Sequence, residues 1–166
     1  MIVKTERLKL IACNYDMILE IINSDIGSDK LFNYNISQLE LKKIKKIAPV
    51  FKGLLKEKKD KYYWYMWIIV NIELNTIIGD AGFKGKPNNE GLIDIGYSID
   101  EKYRKNGFAT ECANGLVKWA FTKKKVKGIT AACKENNTNS INVLLKLNMK
   151  KILHENGFMY WKLKNS

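Results

Sequence analysis

The stretch LIDIGYSIDEKYRKNGFATECANGLVKWAF, residues 92–121, carries two periodicities that meet at a glycine. In its first eight residues Ile93, Ile95, Tyr97 and Ile99 share one side, and Asp94, Gly96 and Ser98 share the other, which is the period of a strand. Further on, Ala109, Cys112, Ala113, Leu116, Val117 and Ala120 recur at helical spacing and form one apolar stripe. Strand therefore gives way to helix across RKNGFATE, Arg104 to Glu111. A helix starting near Gly107 leaves its first N–H groups without internal partners, and its macrodipole adds partial positive charge there. Gly107 removes a side chain where an anion would approach, Ala109 keeps the next turn low, and Arg104 and Lys105 add formal charge. Such a junction suits a pyrophosphate. The pattern R-x-x-G-x-A alone is also that of a plain tight turn, and the run is neither GxxxxGK[ST] nor GxGxxG.

Outward from this junction, the chain reads as an α/β sheet protein. VKTERLKLIA alternates like one strand, and YDMILEIIN after it reads as a short helix. Ser37 with Glu40 makes a capping box, followed at helical spacing by Leu41, Ile44, Ile47, Phe51 and Leu54, with Pro49 as a kink or break. YYWYMWIIVNI, dense in aromatic and β-branched residues, and TIIGDAGFKG predict two further strands. GITAACK predicts a strand and SINVLLKL a short helix, and ILHE and FMYWKL flank the hairpin signal Asn156-Gly157. No repeat or linker divides the 166 residues, so one domain over residues 1–166 is expected.

Lys and Arg outnumber Asp and Glu by 29 to 17, a formal charge of +12. Much of the excess lies in residues 41–61, where nine lysines face only Glu57 and Asp60. A nucleic-acid or membrane-surface patch is one reading. The stretch lacks arginine and interleaved aromatics, which favours a solvated helix face. Cys13, Cys112 and Cys133 are widely spaced, with no CxxC pair to signal a metal, and point to reduced thiols in a cytoplasmic protein. No stretch has the length of a membrane span, and MIVKTERLKL has no apolar leader.

The segment IDIGYSIDEKYRKNGFATECANGLVKWAF resembles the central motif of the GNAT superfamily of acetyl-CoA-dependent N-acyltransferases, in particular the ribosomal-protein N-terminal acetyltransferase branch. TERLKL near the N-terminus and ENNTNSINVLLKLNM after the next strand agree with it, and the close match runs from Leu92 to Met149. The resemblance implies a mixed, mostly antiparallel twisted sheet, flanked by helices and splayed in a V between the family's fourth and fifth strands, where acetyl-CoA lies. It implies that Arg104, Lys105, Asn106, Gly107, Phe108, Ala109 and Thr110 form the pyrophosphate loop, acting mainly through backbone amides. Tyr97, Ser98 and Ile99 fall on the strand that pairs with the pantetheine arm; Asn137 and Ser140 match N-x-x-S, the asparagine holding the arm and the serine near the thioester. Glu111 matches an acidic family position, and a carboxylate in a first helical turn also interacts favourably with the dipole. The chain departs from the family at Asn148-Met149, where Gly-Phe is frequent, and at Leu144, where many relatives carry a proton-donating tyrosine.

Acetyl transfer to an amine requires loss of a proton from the nucleophile and protonation of the leaving thiolate. Asp94, on the strand bordering the implied cleft, is the candidate base, with Glu73 and Asp80 as weaker ones. The Ile99 amide is placed to donate to the thioester oxygen, and Ser140 or water to protonate the thiolate. His154 reads as structural, and Cys112 and Cys133 as packed thiols. The expected acceptor is a primary amine, on a protein N-terminus or a small molecule, and a homodimer is left open. The competing readings are a non-catalytic acyl-CoA-binding module and, on residues 41–61 alone, a nucleic-acid binder.

Overall fold

The computed structural model describes residues 1–56 and 59–165, with only the backbone of Lys59 and Asp60; the Glu57 and Lys58 of the lysine-rich stretch lie outside the described residues. In chain order the elements are β1 (Ile2–Lys4), β2 (Leu8–Ala12), α1 (Tyr15–Asn23), β3 (Lys30–Leu31), β4 (Tyr34–Ile36), α2 (Gln38–Lys56), β5 (Met66–Asn71), β6 (Thr76–Phe83), β7 (Leu92–Ile99), α3 (Phe108–Phe121), β8 (Gly128–Lys134), α4 (Thr138–Lys146), β9 (Lys150–Glu155) and β10 (Phe158–Lys164). They build a mixed, mostly antiparallel sheet in the order β1-β2-β5-β6-β7-β8-β10-β9, with the β3–β4 hairpin joined to β6 by β4. Helices α1 and α2 pack on each other, as do α3 and α4. Glu40 of α2 stands near Asp80 of β6 on one face, and Cys112 of α3 near Tyr97 of β7 on the other. β5 is buried throughout and β6 almost so, as central strands covered on both faces must be.

The sheet is not continuous. β7 and β8 are parallel and pair only over Leu92↔Gly128, Ile93↔Ile129 and Asp94↔Thr130. Beyond Asp94 the strands part: β7 stays on β6 through Ile99↔Gly79, and β8 stays on β10 through Lys134↔Phe158. The V expected from the resemblance therefore opens between β7 and β8.

Several sequence expectations are corrected. VKTERLKLIA is a hairpin, not one strand, with β1 and β2 paired from Ile2↔Ile11 to Lys4↔Lys9. Thr5 makes the turn through its side chain, accepting from Leu8 N at 3.1 Å while its own N–H donates to Leu8 O at 2.9 Å. The aromatic run YYWYMWIIVNI is strand only from Met66; tight helical turns cover Lys59–Trp64. There Tyr63 and Trp64 pack with Trp67, Phe83 and Trp119 in an edge-on aromatic cluster. α2 runs through Pro49 without a break. Its buried seam is Leu41, Ile44, Ala48 and Leu55, leaving Leu54 exposed one position off that seam. Lys42, Lys46, Lys52 and Lys56 lie on its exposed side. The capping box is half made: Ser37 Oγ accepts from Glu40 N at 3.1 Å, but the Glu40 carboxylate turns into the interior and meets no donor among the described residues.

Candidate active site

The alternation of a strand decides which of its backbone groups face the gap. Asp100 N donates to Ile78 O at 2.9 Å and Lys84 N to Asp94 O at 3.0 Å, so the even-numbered residues of β7 turn their N–H and C=O toward β6. The groups of Ile95, Tyr97 and Ile99 then face the V, where β8 has moved away. Arg104 Nε takes the Ile99 carbonyl at 3.0 Å, which leaves the Ile99 N–H and the amide groups of Tyr97 on an open strand edge. Of the three residues expected to pair with an extended ligand, Tyr97 and Ile99 have their backbone on that edge. Ser98 directs its backbone toward β6.

At the mouth of the V, Gly107 caps α3 with φ 81°, and Lys105 is also left-handed at φ 63°. The first α-helical bond is Glu111 N to Gly107 O at 3.0 Å. The N–H groups of Phe108, Ala109 and Thr110 have no acceptor among the described residues. Successive free amides at a helix N-terminus, with positive-φ residues before them, form an anion nest. The cavity between this nest, β7 and α4 has a volume of about 450 Å³. Every expected cofactor-site residue except Asn106 lines it, with no Asp or Glu among its lining residues, and Arg104, Lys105 and Lys146 supply cations.

Asn137 and Ser140 reach the cavity in unequal condition. Asn137 is the N-cap of α4, its Oδ1 accepting from Ser140 N at 3.1 Å, so only its amide N–H₂ is free. The Ser140 hydroxyl stands beside the Tyr97 phenol; burial, foremost, raises the Tyr97 pKa and keeps that phenol protonated. Tyr103, Asn139, Asn142 and Lys146 also line the cavity and were missed in the sequence. The last three recur at three- and four-residue spacing along α4, a signal that was present.

Asp94 is apart from this cavity. It sits at the last paired position before the strands part, about 13 Å along the strand from Ser98. Lys84 Nζ lies 3.0 Å from its Oδ1, and Thr130 Oγ1 donates to Oδ2 at 3.5 Å. Asp80 pairs with Ser98 in register and shares its face. Burial, tempered by Lys43, pushes its carboxyl up to about 6. Glu73 is exposed in the β5–β6 turn. Burial pushes the Cys13 thiol up to about 12 and raises the Cys112 thiol too, which keeps both protonated and inert. His154 Nε2 lies 2.5 Å from Glu135 Oε2 on the exposed hairpin. Leu144 is buried in the α4 core, and Asn148 adopts the left-handed cap conformation at φ 58°. Among the described residues no group of three or more His, Cys, Asp or Glu is disposed to hold a metal ion, and no helix is long and apolar enough to cross a membrane.

The sheet is thus split between two parallel strands, with an anion nest at the mouth of the split. The acetyltransferase (GNAT) domain model matches residues 31–150, and the chain belongs to that family. It is 34% identical over 99 residues to the uncharacterized N-acetyltransferase YjdG of Bacillus subtilis (strain 168), a match that covers 60% of this chain and 59% of that protein. The chain thus matches less than two thirds of that relative's length. In fold it is similar to the ribosomal-protein-S5-alanine acetyltransferase of Vibrio fischeri, at TM-score 0.68 and 18% identity, over 100% of this chain and 97% of the other. A ribosomal alpha-N-protein acetyltransferase, RimL, solved in complex with coenzyme A, has TM-score 0.65 and 17% identity, over 99% of this chain and 98% of the other.

Proposed function

We propose that this protein transfers an acetyl group from acetyl-CoA to a primary amine by direct attack in a ternary complex, as a cytoplasmic enzyme working through one domain, residues 1–166. One observation carries the reading: an open strand edge at Tyr97 and Ile99, a nest of unpaired amides and three flanking cations share one cavity of about 450 Å³. A thiol-terminated arm attached to a pyrophosphate fits that donor set, with the arm on the strand edge and the phosphates on Phe108, Ala109 and Thr110.

Bound there, acetyl-CoA supplies an acyl group activated as a thioester. The chain's own part is orientation and proton handling. Ile99 N–H donates to the acyl oxygen as charge develops there. The C–N bond forms as the C–S bond breaks; Asp94, about 16 Å along the strand from Ile99, takes the amine proton through water, and Ser140 or water returns one to the sulfur. Two structures of similar fold are described as acting on ribosomal proteins, which puts protein N-terminal amines, beside small-molecule amines, among the acceptors to try.

A second reading, a non-catalytic acyl-CoA-binding module, draws on the buried Leu144, where relatives place tyrosine, and on Lys84 occupying Asp94. Calorimetric titration with CoA and thiol release from acetyl-CoA with a panel of peptides and amines separate the two. Binding with amine-dependent thiol release supports transfer, binding without turnover for any amine supports the module, and absence of binding overturns both.

A further inference from the structure

The pyrophosphate loop is held by local bonds, from Asn106 Nδ2 to the Tyr103 and Arg104 carbonyls, and by a second set from outside it. Gly107 adopts its left-handed backbone freely, but Lys105 at φ 63° occupies a conformation that persists only where the surroundings enforce it. The outside contact comes from the other end of the chain, from the Thr5-Glu6-Arg7 turn between β1 and β2. Arg7 Nε donates to Glu111 Oε2 at 2.7 Å, and its Nη2 lies 2.7 Å from the same oxygen. Glu111 Oε1 accepts from Thr5 Oγ1 at 2.6 Å and from the Arg7 backbone N–H at 2.8 Å. Arg7 Nη1 donates to Asn106 O at 3.1 Å. Its guanidinium lies 4.6 Å above the Phe108 ring, and a Cβ built on Gly107 would meet its Nη2 at 3.4 Å. One side chain thus touches Asn106, Phe108 and Glu111 and occupies the space a side chain at 107 would enter, yet it does not line the cavity.

We propose that Arg7, locked by Glu111 and Thr5, is a positioning residue that clamps the loop from behind, so that its amides converge on the CoA pyrophosphate. This rests on the reading that the cavity takes acetyl-CoA. An exposed ion pair alone contributes little, and the Arg7 side chain is 45% exposed. Here, though, the carboxylate receives donors on both oxygens and is itself only 15% exposed. Burial works against its charge, but the bonds from Thr5 and Arg7 and the Arg7 charge outweigh it and hold the Glu111 carboxyl below its usual range. The arrangement also neutralises a carboxylate one helical turn from where phosphates would bind, and this separates two explanations experimentally. If charge alone mattered, Glu111→Gln would tighten CoA binding by removing a repulsion. If Glu111 holds the clamp, the same substitution weakens it.

CoA is titrated calorimetrically into wild type, Arg7→Lys, Arg7→Met and Glu111→Gln, with the thermal unfolding of each recorded. Arg7→Met and Arg7→Lys are expected to weaken binding about tenfold, because lysine keeps the charge and loses the fork. Glu111→Gln is expected to weaken it severalfold, and hydrogen exchange of the 105–110 amides to quicken in all three. With an active acceptor, the KM for acetyl-CoA rises and the KM for the amine does not. Wild-type affinity in Arg7→Lys, or unchanged or tighter binding in Glu111→Gln, overturns the clamp. Should Arg7→Met fail to fold, the other two variants decide. A wild type that binds no CoA sinks the acetyl-CoA reading and the clamp together, whereas binding that no variant weakens sinks the clamp alone.

Discussion

Glu40 offers a test of the interior whose sign changes with pH. Its side chain is fully buried, and neither carboxylate oxygen meets a hydrogen-bond donor among the described residues. The nearest cation, Lys43 Nζ, lies 3.6 Å away. Burial first, then the Asp80 charge, pushes the Glu40 carboxyl from 4.5 up to about 7. Below pH 4.5 the group is protonated whether the chain is folded or not, and folding loses nothing. Between 4.5 and about 7 the folded state holds the proton more tightly, so stability falls as pH rises, and above about 7 the loss is complete. At 1.36 kcal/mol per pH unit, the full loss is about 3 kcal/mol. Glu40→Gln removes the charge but still buries an amide without partners, which returns roughly 1–2 kcal/mol of the gain. The expected net is about 1–2 kcal/mol of added stability at pH 8 and, with no charge to remove, about 1–2 kcal/mol of lost stability at pH 4.5. For a chain of this size that amounts to a rise in Tm of about 5 °C at pH 8. Scanning calorimetry of both proteins from pH 4.5 to 8 reads it directly. A Tm difference independent of pH, or a variant less stable than wild type at pH 8, would refute the burial of an unpaired carboxylate as the cause.

Two substitutions address the proposed chemistry. Gly107→Glu is expected to abolish CoA binding in a folded protein, because residue 107 is left-handed and a side chain there points at Arg7, where a second carboxylate would compete with Glu111; undiminished calorimetric affinity would remove the loop from the site. Asp94→Asn is expected to lower turnover about a hundredfold without changing CoA affinity, the gap narrowing at high pH, where more of the acceptor amine is already neutral. Equal rates across a pH–rate profile would take Asp94 out of the mechanism and leave Asp80 or an ordered water chain.

The parts of the fold that were legible are those where one periodicity runs uninterrupted between clear punctuation. Leu92–Ile99 and Gly128–Lys134 were read with their observed bounds because alternation ends at turn-forming residues. Where punctuation is supplied by tertiary contact, reading failed. The β1–β2 turn uses Thr5, a residue with ordinary strand propensity, so alternation carried straight through it. The β3–β4 hairpin turns on Phe32 and Asn33, both left-handed. A phenylalanine there is not a turn signal, and the hairpin went unseen. Tyr62–Tyr65 has strand composition, yet packing around Trp119 takes most of it into helical turns.

The same distinction divides the candidate site. The half proposed to grip phosphate is built from backbone amides, and what backbone needs from sequence is local: a glycine at the helix cap, small residues in the first turn, and alternation on the preceding strand. Those requirements lie within about twenty residues and can be read as a motif. The clamp proposed for that loop pairs Arg7 with a carboxylate 104 residues away, and Asp94 meets its lysine only because the bend that follows β6 keeps Lys84 beside β7. Side-chain pairings of that kind leave no spacing to find. On the proposed function, recognition of the acceptor amine also falls to side chains rather than to backbone. For that reason one sequence goes further toward the group donor than toward the amine that receives the acetyl group, and the acceptor panel is the measurement that distinguishes this chain from others of the same fold.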